Sequence, residues 1–341
     1  MIIVLKPESA ESDIKMIEQK VIDFGYEPRI LCGEKRTVIA AIGDETRNKS
    51  LETLEALPVV EQVLPIQKRY KLVSREFHRA NSVVRVGSAD VGAGNFMTIA
   101  GPCSVESREQ LRKATEDVVA AGVSVIRGGA YKPRTSPYDF QGLGEEGLQL
   151  LQEMKEEFGV AVVTEVVGVP HVETVAAVAD VLQIGARNCQ NYHLLENVAG
   201  AGRPVLLKRG MSVRVSEWLS AAEYLVINGC ENVILCERGI RTFEDSTRNT
   251  LDVSAVVVAK RETHLPVIID PSHAAGYVDL VVPLAKAGIA AGADGMIIET
   301  HPNPPEALSD STQQIPSREF KDVMDQLRPL IDFCAAGNTN G

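Results

Sequence analysis

SVIRGGAYKPRTS, residues 124–136, passes from an apolar strand straight into a cationic loop. Arg127, Lys132 and Arg134 stand there among small or rigid residues, with no acid inside the stretch, in a chain whose formal net charge is -11. A cluster of that kind has to answer to an anion. α/β proteins place their ligand sites where a buried strand surfaces in a loop, so the stretch predicts an α/β fold with its chemistry at strand ends.

The same rhythm recurs on both sides of it. Short apolar strands are read at 96–100, 124–127, 161–165, 181–185, 204–208, 233–236, 267–270 and 295–299, eight in all, at intervals of roughly 25 to 35 residues. Amphipathic helices fall between them, for example at 108–121, 145–158 and 277–291. Gly122, Gly159 and Gly292 follow these three helices, where a left-handed cap is needed. Eight parallel βα units of this length close into a (β/α)8 TIM barrel.

Residues 1–66 read as a separate small unit: strand 2–6, helix 11–24, strand 27–31, strand 37–42, helix 47–57 and strand 59–64. That βαββαβ order fits a ferredoxin-like α+β domain. Gly33-Glu34 supplies the hairpin turn, and Asp13 and Asp44 lie in the polar stretches that lead into the two helices. Nothing in the unit carries catalytic chemistry, so it reads either as a packing domain or as a ligand-sensing one. Residues 67–94 form a polar linker with a short strand at 83–86, residues 95–335 the catalytic barrel, and residues 336–341 a flexible tail.

Composition limits the partners. With 341 residues, 45% hydrophobic and 5% aromatic, core size is no constraint. A pI near 5.2 argues against nucleic acid or an acidic membrane as the partner, because most of the surface would repel phosphate. The six cysteines form no CxxC pair, the N-terminus lacks the features of a signal peptide, and no apolar run would span a bilayer. The expectation is a cytoplasmic protein.

In a barrel the strand ends meet at one rim, and here they sort into two sets. The first is cationic: Arg127, Lys132, Arg134, Arg187, Lys208 and Arg238. Any one of them alone reads best as a structural ion pair. Six at one rim read as a site for a ligand with several anionic groups, arginine offering a planar fork and lysine a point charge. The second set is Cys103, His273, Glu299 and Asp310. Singly, Cys103 is a small buried hydrophobe and His273 a helix-capping residue. Together, thiolate and imidazole argue against magnesium or calcium, while the two carboxylates allow manganese, iron, cobalt or zinc. Cys189, Cys230, Cys236, Cys32 and Cys334 have no ligand-like neighbours, and His301 draws attention only by following Glu299.

GPCSVES, RGGAYKPRTSPYDFQG, IGARNCQNY, LLKRG, CERGIR, IDPSHAAG, IIETHPNPPEALSDSTQQ and KLVSRE occur in this order along nearly the whole chain. Together they resemble the 3-deoxy-D-arabino-heptulosonate 7-phosphate (DAHP) synthases of the subtype with an N-terminal ferredoxin-like regulatory domain. The resemblance implies one divalent metal held by Cys103, His273, Glu299 and Asp310. It places phosphoenolpyruvate against Arg127, Lys132 and Lys208 through its carboxylate and against Arg187 and Arg238 through its phosphate. The phosphate of erythrose 4-phosphate then falls to Arg134, Thr135 and Ser136. In the mechanism this suggests, Lys132 or a metal-linked group is the candidate proton donor to the new alkoxide, and Glu165 the candidate to position the attacking water. Cys103 and His273 take part through the metal, a Lewis acid for the aldehyde. Tyrosine or phenylalanine at the N-terminal domain and a homotetramer are further implications.

The nearest rival is 3-deoxy-D-manno-octulosonate 8-phosphate synthase, which takes arabinose 5-phosphate. That family resembles this chain at the rim but carries an Ala-Asn-Arg-Ser pattern where residues 133–136 read Pro-Arg-Thr-Ser. The proline stiffens the loop and sets its arginine one place nearer Lys132, which suits the shorter sugar. A non-catalytic amino-acid-sensing scaffold is the rival from another class. A scaffold has no reason to hold so many costly charges at one rim. A fused chorismate mutase is all-helical, unlike residues 1–66.

Overall fold

A computed structural model describes residues 1–7, 9–32, 37–43, 50–64, 70–134 and 136–337. The chain divides into two compact units, Met1–Arg69 and Tyr70–Gly341.

In the first unit, strands β1 (Ile2–Leu5), β2 (Glu27–Cys32), β3 (Thr37–Ile42) and β4 (Val60–Leu64) form an antiparallel sheet in the order β2-β3-β1-β4. Helix α1 (Glu11–Asp23) buries Ile17 and Val21, one helical turn apart, against Ile3, Leu5 and Ile39 of the sheet. Asp13 sits in its first turn and accepts a hydrogen bond from the Ala10 N–H at 2.9 Å. The unit is ferredoxin-like. Its second helix is shorter and tighter than the one expected at 47–57. It is a 3-10 helix over Leu51–Ala56, and its buried residues Leu51 and Leu54 are spaced i, i+3, the period of that helix. The turn at residues 33–34, Asp44 and residues 47–49 lie outside the described residues.

The second unit is the barrel. Its strands are β7 (Met97–Gly101), β8 (Val125–Arg127), β9 (Ala161–Glu165), β10 (Val181–Ile184), β11 (Val205–Lys208), β12 (Val233–Glu237), β13 (Val267–Ile269) and β14 (Gly295–His301). Each pairs in parallel with the next, and β14 closes onto β7 in a register from Gly295↔Met97 to Glu299↔Gly101. Strands buried on both faces explain the near-continuous Val, Ile and Leu of each run. Helices α2 (Arg108–Ala120), α3 (Glu145–Phe158), α4 (Val172–Val178), α5 (Tyr192–Ala199), α6 (Val215–Ile227) and α7 (Val253–Glu262) cover the outside, and α3 ends on Gly159 at φ 66°, a left-handed cap. Beyond β13, Asp270 caps the short helix α8 (Pro271–Ala275) by accepting from the His273 N–H at 3.0 Å, and α9 (Val278–Ala290) follows. No helix among the described residues is long and apolar enough to cross a membrane.

The stretch read as linker does more than connect. Strand β5 (Val84–Val86) pairs with a strand the sequence did not announce, β6 (Ala89–Val91). Val84, Val86 and Val91 of this hairpin join the barrel's interior core with Met97, Val163 and Ile268. VGSADVGAGN reads as a spacer because its small residues carry no strand pattern, yet Val86 and Val91 within it are buried in the barrel core. Upstream, the Leu72 and Val73 N–H groups donate to the Glu223 carboxylate at 2.9 and 3.0 Å. The Arg75 guanidinium donates to the carbonyls of Lys260 and Thr263 at 2.8 and 2.7 Å.

Candidate active site

Four side chains that lie far apart in the sequence meet at the C-terminal end of the barrel. Cys103 follows β7, His273 lies in α8, Glu299 is in β14, and Asp310 is in the loop after β14. One potential ligand atom from each lies within 4.8 Å of all the others. Cys103 Sγ is 3.3 Å from Asp310 Oδ2, and His273 Nε2 lies 3.5 Å from Glu299 Oε1 and 3.7 Å from Asp310 Oδ2. The other His273 nitrogen, Nδ1, faces Asp270 Oδ2 at 2.8 Å, the pairing that commonly aims a metal-binding imidazole.

The electrostatics of the four suit that role. Burial, which outweighs the attraction of Asp270 and Glu299, lowers the His273 pKa and keeps the ring neutral at physiological pH. Glu299 and Asp310 are pulled below the usual carboxylate range; burial opposes their charge, but His273 and neighbouring cations more than offset it. The Cys103 thiol is pushed up to about 12, first by burial and then by Glu299. Lys132 Nζ stands 3.0 Å from its sulfur and 3.1 Å from its carbonyl oxygen. Burial works against the charge on Lys132, yet Cys103 and Glu299 raise its pKa, so it is a cation.

The six rim cations all line one cavity of about 250 Å³, together with Glu165, Gln183, Arg248, His273 and Asp310. They are not alike. Arg127 ends β8 and is ion-paired to Glu299, and Lys208 ends β11 and is paired to the fully buried Asp270 at 2.5 Å. Glu299 comes from β14, far from Arg127 in the sequence, which is why residues 124–136 alone look unpaired, and Asp270 comes from just beyond β13. Arg134 leans on the half-exposed Asp139 at 3.5 Å. Arg187 and Arg238 have no carboxylate partner among the described residues. Arg238 is only 5% exposed, donates to the carbonyls of Gly239 and His273 at 3.3 Å, and has its pKa lowered by burial. A desolvated cation without an acid needs an anion from outside the protein.

Ser136 is described but does not line the cavity; its hydroxyl accepts from the Tyr138 N–H at 3.3 Å. Thr135 lies outside the described residues. Glu165, at the end of β9, accepts from Gln183 Nε2 at 3.2 Å and packs directly against Gly185. A β-carbon on Gly185 would lie 2.1 Å from Glu165 Oε1, so Gly185→Ala is expected to push that carboxylate aside. Turnover should fall by about 10²-fold with the fold intact, the usual cost of an ångström of misplacement. Steady-state kinetics beside a thermal melt check this, and full activity would free Glu165 of any role.

Sequence reading missed several residues of the site. Asp270 left a signal, an acid at the end of an apolar strand. Gln313 lies in the quoted SDSTQQ motif but carries no charge to notice. Arg248 sits in a polar loop with no strand beneath it, so nothing local marked it. His301 does not join the cluster: its Nε2 faces Glu106 Oε2 at 3.2 Å. Cys236 is inside the barrel, and Cys189 and Cys230 are buried apart from the rim.

With this geometry in view, known proteins can be compared. Residues 79–332 match the sequence model of the DAHP synthetase I family, and residues 1–68 that of the DAHP synthase ferredoxin-like domain. A Thermotoga maritima protein named phospho-2-dehydro-3-deoxyheptonate aldolase is 49% identical over 332 residues, covering 97% of this chain and 98% of that one. The crystal structure of the Thermotoga maritima phospho-2-dehydro-3-deoxyheptonate aldolase (DAHP synthase) superposes with a TM-score of 0.91 at 48% identity over 98% of both chains. A 2-dehydro-3-deoxyphosphooctonate aldolase from Acidithiobacillus ferrooxidans is more distant, 33% identical over 67% of this chain and 87% of its own.

Proposed function

We infer the chemistry of the rim from one premise: the chain belongs to the DAHP synthetase I family. It is an aldolase-type transferase that condenses phosphoenolpyruvate with D-erythrose 4-phosphate and water, giving DAHP and inorganic phosphate, the first step of the shikimate pathway. The observation that carries this reading is the single cavity into which six cations and the edge of a four-ligand cluster open. Two phosphates and one carboxylate require about that much positive charge.

Each group of residues then has its task. Arg187 and Arg238, the two cations without carboxylate partners, take the phosphate of phosphoenolpyruvate, where planar forks suit a tetrahedral anion. Arg127, Lys132 and Lys208 take its carboxylate. Arg134 exchanges Asp139 for the phosphate of the sugar, helped by Thr135 and Ser136. Cys103, His273, Glu299 and Asp310 fit a first-row divalent metal (manganese, iron, cobalt or zinc) by donor type and by the orientation of His273. When bound there, the metal supplies Lewis-acid polarisation of the acceptor aldehyde.

The residues align two anions that repel one another in water, and this charge compensation is the main source of acceleration. C3 of phosphoenolpyruvate bonds to the aldehyde carbon, and Lys132, a buried cation beside Cys103, delivers a proton to the alkoxide that forms. Positive charge at C2 draws water, which Glu165 orients on its Gln183 hydrogen bond. The resulting hemiketal phosphate collapses and releases inorganic phosphate.

The stiff Pro133-Arg134 step sets acceptor length and favours the four-carbon sugar over arabinose 5-phosphate. We assign the ferredoxin-like unit to feedback control, binding tyrosine or phenylalanine within a homotetramer and favouring an inactive state. One assay tests these readings together: phosphate release from phosphoenolpyruvate with each aldose phosphate, on metal-stripped and metal-restored protein, with and without each aromatic amino acid. The expected result is metal-dependent turnover with erythrose 4-phosphate, reduced by tyrosine or phenylalanine. Preference for arabinose 5-phosphate would overturn the acceptor assignment, and equal rates with and without the amino acids would remove the regulatory one.

A further inference from the structure

Asp310 and Glu299 each turn one oxygen toward the four-ligand cluster and have the other oxygen held from outside it. Asp310 Oδ2 faces Cys103 and His273, while its Oδ1 is ion-paired to Arg248 Nη1 at 3.0 Å. Glu299 Oε1 faces His273 Nε2 and is ion-paired to Arg127 Nη1, while its Oε2 accepts from Gln313 Nε2 at 2.6 Å. The two holders are joined to each other, since Arg248 Nη1 also donates to Gln313 Oε1 at 2.9 Å. That bond leaves the Gln313 amide only one orientation, with its NH2 on Glu299. Gln313 is 1% exposed and belongs to the turn that Asp310 begins.

Neighbouring residues tie the same turn to the elements that bear the other ligands. Thr312 Oγ1 donates to the Gly276 carbonyl at the end of α8, the helix of His273, at 2.8 Å. Gln314 Oε1 accepts from the Cys103 N–H at 3.0 Å. From the loop after β12, Asn249 Nδ2 donates to the His273 carbonyl at 3.1 Å. Asp310 itself holds φ at 49°, a left-handed conformation that a non-glycine residue keeps only when its surroundings enforce it.

We propose that Arg248 and Gln313 act as a linked pair of positioning residues. Each holds the outer oxygen of one carboxylate, so that Asp310 and Glu299 offer a single oxygen apiece to the metal. The inference rests on assigning Cys103, His273, Glu299 and Asp310 as metal ligands. Single-oxygen binding by both acids keeps the coordination number low and leaves room for a substrate oxygen. Without the pair, Asp310 is free to rotate and bind through both oxygens, and Glu299, then held by Arg127 on its inner oxygen, can turn its outer oxygen inward.

Cobalt(II) alone, titrated into the metal-stripped full-length protein, is the probe. Affinity is read by competition with a coloured chelator and geometry from the visible absorption, which is strong at low coordination number and weak at six. Wild type is expected to show intense visible bands and a thiolate charge-transfer band. Arg248→Met and Gln313→Met should each weaken binding by about 10- to 100-fold and dim the visible bands, with the double variant no worse than the singles because the pair acts as one unit. Arg248→Lys should recover part of the affinity and of the spectrum, since one nitrogen, Nη1, makes both contacts and an ammonium carries three donors. If Arg248 were only a nearby charge, its removal would tighten binding of a cation, and that result overturns the proposal. A wild type with the thiolate band beside an Arg248→Met protein of unchanged affinity and spectrum defeats this inference alone. A wild type without the thiolate band defeats the metal assignment and the inference with it.

Discussion

A Cys103→Ala protein is expected to remain folded and to lose turnover by about 10³-fold or more, the several kcal/mol that Lewis-acid assistance contributes to an aldol step. The side chain is small and fully buried, so alanine opens little space, and the loss falls on chemistry. Its sulfur lies 3.3 Å from Asp310 and 3.0 Å from Lys132, so its removal takes the soft donor from the cluster and a partner from Lys132, the proposed proton donor, together. A pH dependence accompanies this. The metal-free thiol is pushed up to about 12, so at neutral pH it must release a proton for the sulfur to coordinate. His273 is already neutral and both carboxylates already ionised, since their pKa values are lowered, so only one proton is displaced. Metal affinity of the wild type should therefore rise roughly tenfold per pH unit across neutral pH, and the rise should flatten in Cys103→Ala. Chelation, gel filtration and metal titration at several pH values measure both effects. Full turnover by metal-stripped Cys103→Ala would end the metal role.

Lys208→Met should damage stability and activity alike. Lys208 is 4% exposed and Asp270 is wholly buried, so losing the lysine leaves an anion in the barrel with only His273 beside it. Breaking a buried pair from one side costs about 3–5 kcal/mol. The same change removes the charged contact proposed for the carboxylate of phosphoenolpyruvate, worth about 1.5–3 kcal/mol, or roughly 10- to 100-fold in KM. Adding Asp270→Asn removes the stranded charge, so the double variant should regain much of the stability and none of the substrate affinity. Urea unfolding and steady-state kinetics separate the two losses. A single variant as stable as wild type would show that Asp270 does not depend on Lys208.

The repeat of apolar strands ending in charge was enough to place all eight barrel strands to within a residue or two, because a strand buried on both faces must be apolar throughout and can change character only where it surfaces. The small unit was legible for a similar reason, apart from its second helix, whose two buried leucines are too few to reveal that it winds as a 3-10 turn. The β5–β6 hairpin stayed hidden. Its three buried valines, scattered among small residues, find their core partners only once the barrel closes.

The site divides in the same way. The kinds of residue were decided by the sequence alone: cations and ligand-type side chains at strand ends, where burial makes an unused charge expensive. Their pairing was decided by the tertiary structure. It put Glu299 on Arg127 and Asp270 on Lys208, left Arg187 and Arg238 without acids among the described residues, and brought Arg248 and Gln313 from polar loops onto the outer oxygens of Asp310 and Glu299. Ion pairs and hydrogen bonds depend on distances of a few ångströms, and residues separated by scores of positions reach those distances only when β14 closes against β7 and the barrel becomes a ring.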